Sequence, residues 1–317
     1  MTCRWAALAF VLALCSPAVA ADWPARPIKI IAPSTPGGAA DSFARLLADR
    51  MGPLIGGTII VENRTGGGGL VGVATTAHAE PDGYSLVMSS AAYNTIEPFV
   101  SPNPGFDPAR DFTHIAYVGG QANTFIVSAK VGWQSLKDVI DAARSGKTVD
   151  FVTPGVGTVG HLLMESFASA AGIKLQHIPH RGASQAMLDL VGGTVPLGTM
   201  TWSSAIGQIR AKTVKPVAVS SSARVPEFPD VPTLRDLGFD LMADSWFGLS
   251  GPAGMPPEIV AKLNAAVATV MSAPDVRAKL AGDAITPSSM SPAEFSAYVA
   301  ADIAKWQPLV RQLGLGH

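Results

Sequence analysis

Cysteine is nearly absent: Cys3 and Cys15 are the only two in 317 residues, and both stand in the first fifteen positions. That segment reads as a secretory leader. Arg4 gives the positive start, Trp5 to Leu14 the apolar core, and Ala18-Val19-Ala20 a small-residue cleavage site. Residues 1–20 are therefore expected to leave as a signal peptide, so a mature chain starting near Ala21 would have neither a disulfide framework nor a thiol nucleophile. Long apolar runs are missing too. The leader's run is about half of the ~20 residues a spanning helix needs, and no later segment is long and apolar enough. An excess of charge of either sign is also lacking. Net charge is -1 and the basic residues are scattered, which leaves no footprint for nucleic acid or an anionic membrane surface. A small partner is expected instead.

What is there is apolar content, 48%, enough for one large domain or two moderate ones with real cores. Strands and helices alternate. Ile28 to Ala32 reads as a strand, Ala39 to Met51 as a helix with Phe43, Leu46, Leu47 and Met51 on one face, and Thr58 to Val61 as a second strand. Glycines 66 to 69 and another helix precede a strand at Tyr84 to Met88. After a short strand at Ala116 to Val118, the alternation restarts: strand Thr124–Val127, helix Ser135–Arg144, strand Asp150–Val152, helix Val159–Ala171, strand Leu175–Ile178, helix Ser184–Val191, strand Val217–Ser220. This βαβα order predicts an α/β fold whose sheets are mainly parallel and flanked by helices. The proline-rich stretch Arg224 to Pro232 reads as an exposed crossover, and two amphipathic helices follow, starting near Pro257 and Pro292. If those helices cover the first sheet, domain 1 is discontinuous (21–122 and 223–317) around an inserted domain 2 (123–222). Hinges would then lie near Gly120 to Thr124 and Ser220 to Arg224, with the interdomain cleft as the site.

Two strand-to-helix junctions carry the chemistry. Ile30 to Asp41, IIAPSTPGGAAD, runs a strand through a Gly-Gly turn into a helix, which turns backbone N–H groups outward beside the positive end of a helix dipole. Ser34, Thr35, Gly37, Gly38 and Ala39 are candidate anion contacts there; Asp41, in the first turn, is either a cap or a further contact. Asp150 to Leu163, DFVTPGVGTVGHLL, repeats the arrangement with Thr153, Gly155, Val156, Gly157 and Thr158. Although Gly155 to Gly160 spells G-x-G-x-x-G, the following KLQHIPH has no acid for a ribose, so no dinucleotide cofactor is expected. Enzyme signatures fail as well: Gly248-Leu249-Ser250-Gly251-Pro252 has proline where a nucleophile elbow needs glycine. His177 and His180 are separated by Pro179 and lack a third ligand, so neither a catalytic residue nor a metal site is expected. An exported hydrolase of carboxylate esters is the reading from a different class.

Together PIKIIAPSTPGGAAD, VENRTGGGG, EPDGYSLVMSS, VTPGVGTVGHLLMESF, GASQAMLDLVGGTV, PDVPTLRDLG and SWFGLSGPAGMPPEIVAKLN resemble the Bug-type solute-binding receptors of tripartite tricarboxylate transporters, through nearly the whole mature chain. The resemblance implies a periplasmic protein of two-domain, Venus-flytrap form. It would capture a small carboxylate, without a cofactor, and deliver it as a monomer to a permease of two membrane subunits. A sensor that presents its ligand to a membrane kinase is the alternative partner. The resemblance implies that Ser34 to Ala39 and Thr153 to Thr158 hold one ligand carboxylate through backbone amides and ordered waters. Ser89, Ser90 and Ala91 would line the same cleft. Three positions depart from the family pattern: Ser34 where an aromatic is common, His180 where a tyrosine stands, and Met200 near a frequent aspartate. Met200 cannot accept an ammonium hydrogen bond, which argues against amino acids and for a mono- or dicarboxylate, aromatic ones included. Thr199 lies beside Met200, and His180 or Arg181 could meet the ligand's far end.

Overall fold

The computed structural model describes residues 23–180, 182–282 and 285–316; the expected signal peptide and Arg181 lie outside these. Strand β1 (Ile28–Ala32) is apolar on both faces and nearly all buried, as a strand between two helix layers must be. Helix α1 (Ala39–Ile55) lays Phe43, Leu47 and Met51 on it and stops at Gly56, whose left-handed φ of 73° suits a residue without a Cβ. Strand β2 (Ile59–Asn63), helix α2 (Leu70–Ala77) and strand β3 (Ser85–Ser90) complete a parallel unit in which β1 pairs with β2 and β3. A π-helical turn, Ala91–Ile96, continues into α3 (Glu97–Val100).

Strand β4 (Phe112–Ser128) is 17 residues long and joins the two segments that the sequence divides at Gly119-Gly120. That pair marks no turn. A Cβ on Gly120 would meet the Tyr117 hydroxyl at 2.4 Å, so the glycine answers a close approach within an extended strand. Then come α4 (Leu136–Arg144), opened by a Ser135–Asp138 capping box, β5 (Asp150–Thr153), α5 (Val159–Ala171), β6 (Gln176–Pro179), α6 (Ala183–Gly192), β7 (Leu197–Thr201), α7 (Trp202–Arg210) and β8 (Val214–Val219). Strand β9 (Asp244–Pro252), which the sequence reading missed, contains the failed elbow motif. Ser250 is buried there against Ser89 at 2.9 Å and His114 at 3.0 Å. The chain closes with α8 (Pro257–Ser272), α9 (Pro274–Gly282), β10 (Ile285–Thr286) and α10 (Pro292–Gln312).

The strands run in the order β2-β1-β3-β9-β4-β7-β5-β6, with β8 and β10 also on β4. Parallel βαβ units form the two ends, and the antiparallel strands β9 and β4 join them. Through Ala122, β4 pairs with β9; from Asn123 it pairs with β7, so one strand feeds both sheet sections. Helix α8 packs on α1 under the first section. Helix α10 packs Phe295, Trp306 and Val310 into a core shared with Phe167 of α5.

Candidate functional site

At the first junction a carboxylate of the chain takes part of the loop's hydrogen bonding. Asp41, from the first turn of α1, accepts the Gly37 N–H at 2.9 Å, Arg45 Nε at 3.0 Å and Asn63 Nδ2 at 2.9 Å. The Gly38 N–H goes to the Thr35 carbonyl at 3.0 Å. Hydrogen bonding from Arg45, aided by Gly37 and Asn63, holds the buried Asp41 carboxyl at about 2 against the opposing effect of burial. Asp41 thus supplies an anion to the loop's Gly37 N–H, while Ala39 and Ala40 at the start of α1 keep N–H groups with no intrahelical acceptor. Thr35, Gly37 and Ala39 lie exposed on the outer loop. Ser34 Oγ is buried and without a partner among the described residues.

The second junction is braced from behind. Thr153 Oγ1 shares a hydrogen bond with His177 Nε2 at 2.7 Å and accepts the Gly155 N–H at 3.2 Å. His161 Nδ1 accepts the Gly157 N–H at 3.3 Å, and the two imidazoles stack with centroids 3.9 Å apart. Burial holds both rings neutral, His161 at about 3 and His177 at about 4, so the Nδ1 lone pair stays free to accept. The N-cap Thr158 takes the His161 N–H at 3.3 Å. Val159 and Gly160, the first two residues of α5, have N–H groups with no intrahelical acceptor. Val156 is exposed at the loop tip, and Thr199 packs behind Gly160.

Thr158, Val159 and Gly160 line a cavity of about 230 Å³. The opposite wall is Ser90 to Tyr93, where β3 enters its π-helical turn: Ser90 Oγ accepts the Tyr93 N–H at 3.3 Å and the Ser90 N–H donates to Asn94 Oδ1 at 3.1 Å. Trp246 and Phe247 of β9, with Met200 and Ala183, supply apolar wall; Asn123, Ser245, Thr201 and Ser204 supply polar wall. Of the sequence candidates, the structure brings Ser90, Thr158 and Met200 to this cavity. Ser34, Thr35, Gly37, Gly38, Ala39 and Asp41 are not among the residues that line it, and the Gly37 N–H is held by Asp41. Ser89, adjacent to Ser90 on a strand, points the other way, its hydroxyl on the Gly248 carbonyl at 2.9 Å. His180 is likewise turned aside, its Nε2 2.8 Å from Asp189. The aromatic wall comes from SSAAYN and SWF, which contain no glycine turn to mark them; a serine followed by three helix-compatible residues is the capping signal that marks Ser90.

Among the described residues, Glu97 is paired with no cation. Glu97 lies four residues after Tyr93, between a loop of each sheet section: a Cβ on Gly68 would meet its Cδ at 2.9 Å, and one on Gly157 its Oε1 at 3.2 Å. Burial pushes this acid up to about 7.

Comparison with known proteins agrees with this architecture. Residues 43–315 match the model of the tripartite tricarboxylate transporter family receptor. The chain belongs to that receptor family. It is similar to protein BugT of Bordetella pertussis, 32% identical over 305 residues, 95% of this chain and 93% of that one. Among solved structures, a Rhodopseudomonas palustris protein with adipate superposes with a TM-score of 0.82 at 29% identity, covering 93% of this chain and 99% of that one. MatC of the same organism, with bound malate, gives 0.78 at 28% identity over 90% and 99%. The family is one of solute receptors rather than enzymes, its structures include periplasmic binding proteins, and the α/β binding-protein fold expected from sequence is the fold found.

Proposed function

We propose that this receptor captures a small carboxylate in the cavity between its two sheet sections and presents it, as a monomer in the periplasm, to a permease of two membrane subunits. The observation that carries this reading is that Thr158, Val159 and Gly160, at a helix start whose first N–H groups have no intrahelical acceptor, line one cavity with a wall from each section. Such donors hold an anion without a buried counter-charge, whose desolvation is costly. The relatives with adipate and malate support the same ligand class. In this reading the sections are domains, 21–122 with 223–317 and 123–222, that close about the β4 passage near Ala122 and the chain near Ser220. The donor set is Ser90, Thr158 and the N–H groups of Val159 and Gly160, with Met200 on the far wall.

A thermal-shift screen of the mature protein against carboxylic acids, neutral sugars and amines tests this. An acid at 100 times its dissociation constant should add about 2.7 kcal/mol of stability. Stabilisation by sugars or amines but by no acid would refute the carboxylate reading.

A further inference from the structure

Resting on the carboxylate reading, we infer that His161 is the residue that makes the second junction receptive to an anion: its uncharged ring braces the loop from the position that a carboxylate holds at the first junction. The two positions are equivalent. Asp41 is the third residue of α1 and His161 the third of α5, each four residues after a glycine of positive φ, 82° at Gly37 and 75° at Gly157. Each accepts that glycine's N–H through an atom bonded to its Cγ, Asp41 Oδ2 at 2.9 Å and His161 Nδ1 at 3.3 Å. What differs is charge.

A carboxylate in the first turn of a helix is stabilised by the positive end of the dipole and screens that end from any other anion. At α1 the chain's own Asp41 stands there, with Arg45 beside it as counter-ion. At α5 the brace brings no charge. Because Nδ1 accepts from Gly157, the proton of the neutral ring is on Nε2, which faces Glu165 Oε1 at 3.8 Å. Burial keeps His161 uncharged, and the stacked His177, uncharged for the same reason, ties the pair to Thr153 at 2.7 Å. Glu97, the other acid near Gly157, takes no hydrogen bond from the loop among the described residues, and burial favours its protonated form. The helix start therefore reaches the cavity at Thr158, Val159 and Gly160 with its positive end turned to a ligand.

His161→Asn and His161→Asp form a matched pair. Each puts an oxygen on Cγ where Nδ1 stands and can accept the Gly157 N–H; both lose the stack on His177, and only the second adds charge. The probe is whichever of malate, adipate, benzoate and hexanoate binds the wild-type mature protein most tightly in calorimetric titration at pH 8. His161→Asn should bind it within about fivefold of wild type, and His161→Asp at least about tenfold more weakly than His161→Asn, as repulsion between like charges a few ångström apart requires. Equal affinities in the two variants would overturn the inference while leaving the carboxylate reading standing; binding of none of the four acids to wild type would remove both. A second measurement needs no variant. Imidazole nitrogen NMR shifts of wild-type His161 should report the neutral ring with its proton on Nε2, both free and saturated with the probe acid. A doubly protonated ring in the complex would make His161 a counter-charge and overturn the inference.

Discussion

The junctions β1–α1 and β5–α5 look alike in sequence, a strand, a Pro-Gly turn and a helix, yet they brace their loops with different acceptors. At the first, Asp41 sits four residues after Gly37 and receives its N–H; at the second, the corresponding brace is His161, four residues after Gly157, a neutral acceptor that fixes the loop without adding an anion. A helix start attracts negative charge whether the charge is a ligand or the protein's own side chain. The residue one turn into the helix therefore sets whether the loop's N–H is held by an anion or by a neutral acceptor.

The largest effect expected from breaking this contrast is at Val159. Proline is tolerated at the first position of a helix, and Thr158, at φ -73° and ψ 153°, has the extended backbone a following proline requires. Val159→Pro removes one donor and should weaken carboxylate binding by roughly tenfold to a hundredfold, the range of a charge-assisted hydrogen bond, with a small loss of stability. Titration calorimetry reads the first and thermal unfolding the second. Unchanged affinity would take α5 out of the site.

At the other junction, Asp41→Asn should do the reverse: a stability loss of about 1–3 kcal/mol at pH 7 with affinity within about twofold of wild type. Because Asp41 titrates below its ordinary value, its contribution is present above pH 3.8 and disappears as pH falls through about 2, so the variant and wild type should converge in acid. A persistent difference at pH 2 would show that the loss has another origin.

Glu97 bridges the two regions, and its titration runs in the opposite sense. Its folded value of about 7 lies above the ordinary 4.5, so the folded state favours the proton and stability falls as pH rises from about 4.5 through 7. Glu97→Gln should equal wild type near pH 4 and exceed it at pH 8 by about 1–2 kcal/mol, allowing for partial exposure. Denaturant unfolding at the two pH values checks the sign; a variant less stable than wild type at pH 8 would mean the anion has a partner in the folded state. The smallest effect belongs to His180→Ala, which removes a half-exposed pair with Asp189 and should cost no more than about 1 kcal/mol, leaving affinity unchanged. A tenfold loss of binding would return His180 to the ligand's far end.

Much of the fold was legible. Ile28 to Ala32 and Val159 to Ala171 were bounded as found, because a strand apolar but for Lys29 and a helix with a threonine cap and a following glycine are specified locally. Strand β9 and the continuity of β4 were not, since the sequence places Gly119 and Gly120 between two short segments and offers Gly248 only as part of a failed elbow motif, whereas all three sit in extended strands. Their bareness is set by tertiary neighbours: a Cβ on Gly248 would meet Phe295 Cζ at 2.2 Å. The site was half legible. Glycine turns pointed to both junctions, with Thr158 among the loop candidates, but the sequence does not show which acceptor takes a given N–H. Asp41 was nonetheless a usable signal, being the one acid in the first turn of α1.

The most direct test is calorimetric titration of Val159→Pro and Asp41→Asn with the carboxylate that gives the largest thermal shift on wild type. The account predicts at least a tenfold loss for Val159→Pro and near wild-type affinity for Asp41→Asn. The inverse result, binding kept without the Val159 donor and lost with the Asp41 anion, would place the ligand at the first junction and contradict it.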